Sequence, residues 1–412
     1  MKKYYIIIIA FLGCLGLQAK DMTGLKIYIN PGHGGYDSDD RNVAVYPYAQ
    51  GDTLGFWESS SNLHKGLMLR KLLQEQGATV AMSRVLNRTE DDRGLETIGR
   101  EASEWEADLF FSIHSNATGT SRRDNFPMML FRGYTENPVK PEDKVAAKIL
   151  FKHLIENQVT YWTQTEEYVV GDFDFYPDWN NAGLGVLRKL TVTGFLSEGS
   201  YHDYVPETYR LLNMDYKWME AWHFTKAVME YFDTEGFTTG NIAGVIYDSR
   251  MTRTESYVQH GRDKQVPLCG ATVTLLPNNI TYTTDNLYNG VYMFKNLAPG
   301  NYQLKIAAED HYDRTIDVTV KLDQCGYGQS EKYSTGSHLL QPCHGKRNRQ
   351  HQLYDSHCLE FQLGYGHGIC TKGFLDRPAG RREHYIRRFT VPNGIYPHSS
   401  LRGSYPIYRK TR

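Results

Sequence analysis

From Gly24 to about Phe232, short apolar runs alternate with stretches that repeat apolar residues at helical spacing. Lys26-Ile27-Tyr28-Ile29-Asn30 reads as a strand ending at Pro31-Gly32. Ser59 to Asn62 offers capping residues, after which Leu63, Leu67, Leu69, Leu72 and Leu73 follow one helical face up to Gly77. Thr79 to Ser83 is the next strand, Thr97 to Ala107 a short helix, and Leu109-Phe110-Phe111-Ser112-Ile113 a strand of a buried sheet. Thr191 to Leu196 is a further strand, and Tyr209 to Phe232 reads as one long helix. Such alternation predicts an α/β layer with a mostly parallel sheet flanked by helices. A polar, aromatic-rich insertion between Tyr134 and Lys189 does not follow this pattern.

Beyond Asn241 the period changes to two. Ala243 to Asp248, Ala271 to Leu275 and Tyr302 to Ile306 alternate in and out, with turn signals at Asn289-Gly290 and Pro299-Gly300-Asn301. A small all-β sandwich is expected over 241–322. From Asp323 onward no period is visible, and a tail without packed order is expected over 323–412.

Composition sharpens this division. At 412 residues the chain is too long for one ordinary domain, and 40% hydrophobic content is enough for packed cores. The formal net charge of −1 gives no sign of a nucleic-acid partner. The last ninety residues hold 14 Lys+Arg against 6 Asp+Glu, so the tail carries +8 and the rest −9. They also hold Cys325, Cys343, Cys358 and Cys370. An abrupt loss of pattern with a Cys/His/Arg surplus predicts a tail translated in the wrong frame. Codons can be chosen for Leu363 to Arg382 that, read one base later, spell a peptide like a bacterial Ig-like domain. Sequencing the DNA across Lys321 to Gly328 tests this.

The N-terminus is a targeting signal by its pattern. Met1-Lys2-Lys3 is basic, Ile6 to Leu17 is apolar but too short to span a bilayer, and Ala19 offers a small residue before Lys20. Residues 1–19 are therefore expected to be a cleaved secretory signal, with the protein exported to the periplasm or cell envelope. Leu12-Gly13-Cys14 is the less favoured alternative, a lipid anchor. The remaining chain has no apolar run long enough for a membrane helix.

The strand ends carry the candidate chemistry. His33 follows the first strand in Asn30-Pro31-Gly32-His33-Gly34-Gly35, His114 ends another in Ser112-Ile113-His114-Ser115-Asn116-Ala117, and Glu198 ends a third in Gly194-Phe195-Leu196-Ser197-Glu198-Gly199. Glu58 lies just before the first helix. Open α/β sheets collect ligands at the carboxyl ends of their strands. Two imidazoles and one carboxylate make an open zinc shell with a fourth position for water, and a further carboxylate can move that water's proton. A His-Glu-x-x-His helix does not occur in the sequence.

These words, in this order, resemble the zinc N-acetylmuramoyl-L-alanine amidases of the type 3 catalytic fold, over roughly Leu25 to Phe232. The resemblance implies a Zn²⁺ site on His33, Glu58 and His114, with Glu198 as catalytic acid/base. Arg84 and Asn116 become candidate substrate contacts, and Arg100 also sits where the family has an arginine. Implied with them are a catalytic domain over 24–235, peptidoglycan as substrate, an activator protein as a further partner, and a role in wall remodelling and daughter-cell separation. The competing readings are a zinc peptidase on another wall amide and a non-catalytic wall-binding protein. His202 and Asp203, close after Glu198, read as a solvated loop, with a place at the border of the site as the alternative, and His64 reads as a surface residue of the Glu58 helix. The segments Gly244 to Asp248, Leu268 to Val273 and Phe294 to Tyr302 resemble the carboxypeptidase regulatory-like, transthyretin-like sandwiches of exported proteins.

Overall fold

The computed structural model describes residues 21–119, 121–258, 261–327 and 337–341, all within one compact unit. The expected signal, Cys14, the cysteines after 341 and most of the tail expected to be translated in the wrong frame lie outside the described residues.

The first half runs β1 (Lys26–Pro31), β2 (Asn42–Val43), β3 (Phe56–Trp57), α1 (Glu58–Glu75), β4 (Thr79–Met82), α2 (Leu95–Glu104), β5 (Leu109–Asn116), β6 (Met128–Phe131), α3 (Pro141–Ile155), β7 (Val169–Gly171), α4 (Asp172–Phe175), α5 (Gly185–Arg188), β8 (Gly194–Tyr201), α6 (Val205–Leu212) and α7 (Met214–Tyr231). The main sheet has the order β4-β1-β5-β8-β6-β7. Every pairing is parallel except β6 with β8. The mostly parallel α/β layer is thus as expected.

Pleating decides which helix covers which face. Ile27, Ile29, Phe111 and Ile113 point to one side and pack with Leu69, Leu73, Leu150 and Phe224 from α1, α3 and α7. Tyr28, Phe110 and Leu130 point to the other and pack with Ile98, Ala102, Val186 and Leu187 from α2 and α5. The sheet is buried on both sides, which is why its strands read as apolar runs.

Three boundaries differ from expectation. Helix α1 starts at Glu58, so Ser59 to Asn62 lie inside its first turns rather than capping it; its N-cap is Trp57, without a side-chain cap. Strands β5 and β8 run on through Asn116 and Tyr201, so His114 and Glu198 lie within strands rather than beyond them. The expected long helix is two, because Asn213 interrupts it and its side chain accepts the Tyr216 amide at 2.9 Å, capping α7. The unplaced insertion contains α3, β7, α4 and α5.

The second half holds β9 (Gly240–Thr252), β10 (Gln265–Pro267), β11 (Thr272–Leu276), β12 (Ile280–Thr283), β13 (Val291–Leu297), β14 (Gly300–Ala307), β15 (Arg314–Val320), β16 (Cys325–Gly326) and β17 (Ser337–Leu340). One sheet has the order β12-β11-β14-β15; the other is built on β9, flanked by β10 and β13, with β16 and β17 pairing to it in parallel. Leu340 packs into the core of the sandwich, and buried His338 meets the Tyr292 hydroxyl at 2.7 Å. The sheet therefore extends past residue 322, and the described part of the expected tail is sandwich strand.

The two halves share a core. Val45, Phe56, Val159, Tyr209, Leu211, Tyr216 and Met219 form one cluster with Ala243, Val245, Tyr247, Val291 and Met293. Across the same junction the buried Arg210 guanidinium bonds Glu207 at 2.8 Å and Asp263 at 2.7 Å.

Candidate active site

The His33 loop is built by close approach. Gly32 donates its amide to Ile113 O at 2.9 Å, and a Cβ placed on Gly32 would lie 2.0 Å from the His114 ring. Only glycine allows that contact. His33 itself has φ 62°, a left-handed conformation that a non-glycine residue holds only when its surroundings fix it. Arg84 does the fixing. Its guanidinium donates to Pro31 O at 2.9 Å, Gly32 O at 2.9 Å and Ser59 O at 2.7 Å. Arg84 is enclosed by these carbonyls and is only 5% exposed, so it clamps the loop to α1. Burial lowers its pKa to about 10.

Glu58, at the start of α1, points its buried carboxylate between the two imidazoles. Oε2 lies 3.4 Å from His33 Nε2 and Oε1 lies 3.2 Å from His114 Nδ1. The Ser115 amide donates to Oε1 at 3.0 Å, and Asn62 Nδ2 donates to the same oxygen at 3.2 Å. One ligand atom from each of His33, Glu58 and His114 falls within 4.8 Å of the others, making a set that could hold a metal ion. Burial would raise the Glu58 carboxyl, but the surrounding histidines outweigh it and hold the group well below its usual range. Burial also lowers His33, yet the Glu58 carboxylate reverses that and raises it; His114 is lowered, chiefly by burial.

Glu198 stands beside this set, directly paired with His114 in the β5–β8 register. Its Oε2 is buried and has no hydrogen-bond partner among the described residues. Burial, and then the Glu58 charge, push the Glu198 carboxyl well above its ordinary value. Beneath it, Lys65 Nζ bonds Glu220 Oε1 at 2.8 Å, and both are buried. Buried ions persist only when paired in this way.

His202 belongs to the same neighbourhood, not to a solvated loop. It is buried, its Nδ1 lies 2.9 Å from Ser115 O and 3.1 Å from Ser115 Oγ, and its ring stacks on Phe56 at 5.4 Å. Burial lowers its pKa. His202 lies in the turn just beyond β8, four residues after Glu198. Asp203 is also buried and accepts the Gly119 amide at 2.8 Å. Asn116 is half-buried, and its Oδ1 accepts the Ala117 amide at 2.8 Å. Arg100 faces solvent and pairs with Glu104. His64 is half-buried against Lys217 at 3.2 Å rather than solvated, and burial with that charge lowers it to about 4.

The chain is similar to several known proteins. The sporulation-specific N-acetylmuramoyl-L-alanine amidase of Bacillus subtilis (strain 168) is 26% identical over 189 residues, 45% of this chain and 60% of that protein. The germination-specific N-acetylmuramoyl-L-alanine amidase of the same organism is 25% identical over 226 residues, 52% of this chain and 83% of that protein. Among solved structures, the amidase AmiC2 of Nostoc punctiforme aligns with a TM-score of 0.40 and 20% identity, over 51% of this chain and 99% of that one. Residues 27–229, just under half of the chain, match the family described as N-acetylmuramoyl-L-alanine amidase.

Proposed function

We propose that this protein hydrolyses the amide between N-acetylmuramic acid and L-alanine in peptidoglycan, using zinc held by His33, Glu58 and His114. The observation that carries the reading is a convergent His/Glu/His set with a buried, unpartnered carboxylate, Glu198, alongside it. The donor set suits zinc: two imidazoles and one carboxylate leave a coordination position open. The fit is tight, since the Gly32 backbone makes room for the His114 ring and Ser115 and Asn62 orient Glu58. When bound, zinc polarises a carbonyl and makes water nucleophilic near neutral pH.

The remaining work falls to Glu198. As carboxylate it takes a proton from the attacking water, and as carboxylic acid it passes that proton to the departing alanine nitrogen. Its raised pKa favours holding the proton between the two steps. Residues 24–235 act as the catalytic domain in this reading. The sandwich from 241 joins it through a shared core and acts as its support. The substrate lies outside the cytoplasmic membrane, which fits the secretory signal expected at 1–19. None of the described helices is long and apolar enough to cross a membrane. The role that follows is wall remodelling, including separation of daughter cells.

The test uses the purified chain with zinc on isolated sacculi, read by mass spectrometry. Intact glycan strands and stem peptides with a new alanine amine support the reading, with Glu198→Gln inactive beside it. Cleavage within the stem peptide overturns the bond assignment, no cleavage by a zinc-loaded protein points to a need for the activator, and neither cleavage nor bound zinc overturns the enzyme.

A further inference from the structure

Away from the ligand set, a cavity of about 440 Å³ opens where the start of α2 meets the segment between α4 and α5. Leu95, Glu96, Trp179 and Arg188 are among the residues lining it. Trp179 leaves 46% of its surface in solvent, next to the exposed Leu95. Soluble proteins bury most such rings, so an exposed indole in a cavity is informative. Tyr176 backs the indole as a parallel ring at 4.0 Å and 8°.

The loop presenting Trp179 is held rigidly. Buried Asp172 accepts the Gly133 amide at 2.9 Å and the Leu184 amide at 2.8 Å, pinning both ends. Arg132 and Arg188 both donate to Ala182 O, at 2.7 and 3.2 Å. Asn180 and Asn181 both hold left-handed φ, 55° and 61°. On the rim, Arg188 Nη1 and Glu96 Oε1 pair at 2.9 Å, offering fixed donors and acceptors whose charges balance.

The cavity is near the proposed chemistry. Gly94, on its edge, is two residues from Asp92, and a Cβ on Gly34 would lie 2.8 Å from the Asp92 amide nitrogen. Gly34 follows His33. The short Asp92–Gly94 segment, about 7 Å at most, thus links the cavity edge to the loop that carries His33.

We propose that this cavity is a saccharide subsite that stacks one pyranose ring of an N-acetylated glycan strand on Trp179, beyond the sugar whose amide is cut. The inference rests on the amidase reading for the identity of the strand. Pyranose C–H bonds carry slight positive charge and are drawn to the negative face of an indole. Glu96 accepts from sugar hydroxyls and Arg188 donates to them. A charged stem peptide finds no net charge here, so the neutral sugar is the better match. A preformed ring and rim bind without an ordering penalty.

The probe is tri-N-acetylchitotriose, titrated by calorimetry into the full chain carrying Glu198→Gln. Binding needs no catalysis, so this arm reports on the subsite even if the amidase reading fails. Saturable binding that weakens at least tenfold in Trp179→Ala, and returns in Trp179→Phe, supports the subsite. In the otherwise native chain, Trp179→Ala should raise KM severalfold on sacculi, and by more than on a short muramoyl-peptide that lacks a neighbouring sugar. Equal chitotriose affinity with and without Trp179, or no saturable binding, overturns the subsite. Loss of cleavage by the native chain with chitotriose binding intact overturns the amidase reading alone.

Discussion

His114 and Glu198 face each other across neighbouring parallel strands, at one register position of β5 and β8. The sheet itself therefore sets the spacing between a proposed metal ligand and the proposed proton carrier. Rigid strands hold such geometry better than loops do. Replacing Glu198 with Gln keeps the shape and removes the proton site. The expected result is a loss of about 10³-fold in kcat with zinc content unchanged, because general acid–base groups contribute about 10²–10⁴-fold. Zinc analysis beside the rate measurement checks both halves. Undiminished turnover would remove Glu198 from the mechanism.

Gly32→Ala tests whether the His33 loop is as tight as it looks. The new methyl would sit 2.0 Å from His114 Cε1, so ring or loop must move. A displacement near 1 Å at a reacting centre costs roughly 100-fold. The expected outcome is a folded protein that loses zinc to mild chelators and most of its activity. Circular dichroism and metal analysis after dialysis distinguish this from unfolding, and full zinc retention would contradict the close contact.

His202 reaches Glu58 both directly, with its Nδ1 3.8 Å from Oε2, and through Ser115. The imidazole meets Ser115 O at 2.9 Å, and the Ser115 amide holds Glu58 Oε1 at 3.0 Å. Residues that orient a ligand from behind are worth about 10–100-fold in metal affinity. His202→Ala is expected to weaken zinc by that factor in a chelator competition, with the melting temperature little changed. An unaltered zinc affinity would reduce His202 to core packing against Phe56.

Much of this was legible in the sequence. The apolar runs of β1, β4 and β5 needed no context, because a sheet buried on both faces must be apolar throughout. The words around His33, His114 and Glu198 pointed to the candidate site through their family resemblance, and the fold brings His33, Glu58 and His114 together. Other features depend on contacts that local pattern cannot carry. The clamp made by Arg84 was hidden because its carbonyl partners come from β1 and α1, far along the chain. His202 looked solvated because its cover, Phe56, comes from a two-residue strand. The end of the sandwich was missed because β17 is only four residues long and is defined by pairing with β9.

The shared core makes a prediction about truncation. Cutting after residue 240 would expose Tyr209, Leu211, Tyr216 and Met219 where they now meet the sandwich. It would also leave Arg210 without Asp263. Residues 21–240 are expected to aggregate or melt well below residues 21–341. Within the intact chain, Asp263→Ala should cost about 3–5 kcal/mol, the usual penalty for orphaning one partner of a buried ion pair. Urea denaturation of the variants measures this. An equally stable 21–240 fragment would make the sandwich an independent appendage.

Acid sensitivity should trace in part to His223. The side chain is only 2% exposed, and neither ring nitrogen has a hydrogen-bond partner among the described residues. Burial, then the Lys226 charge, lower its pKa to about 3, with Glu156 pulling upward and His153 downward. In the unfolded chain the imidazole titrates near 6.5. At pH 7 it is neutral in both states and contributes nothing. Between about 6.5 and 3 the unfolded chain takes a proton that the folded protein refuses, so stability falls as pH falls, and the loss is complete below about 3. At pH 5 this amounts to about 2 kcal/mol. Leucine at this position binds no proton and leaves no unpaired polar atom. His223→Leu is therefore expected to equal or exceed the parent in stability at pH 7 and to lose about 2 kcal/mol less on going to pH 5. Guanidinium titrations at the two pH values read the difference, and identical losses in both proteins would exclude His223 as the acid-sensitive group.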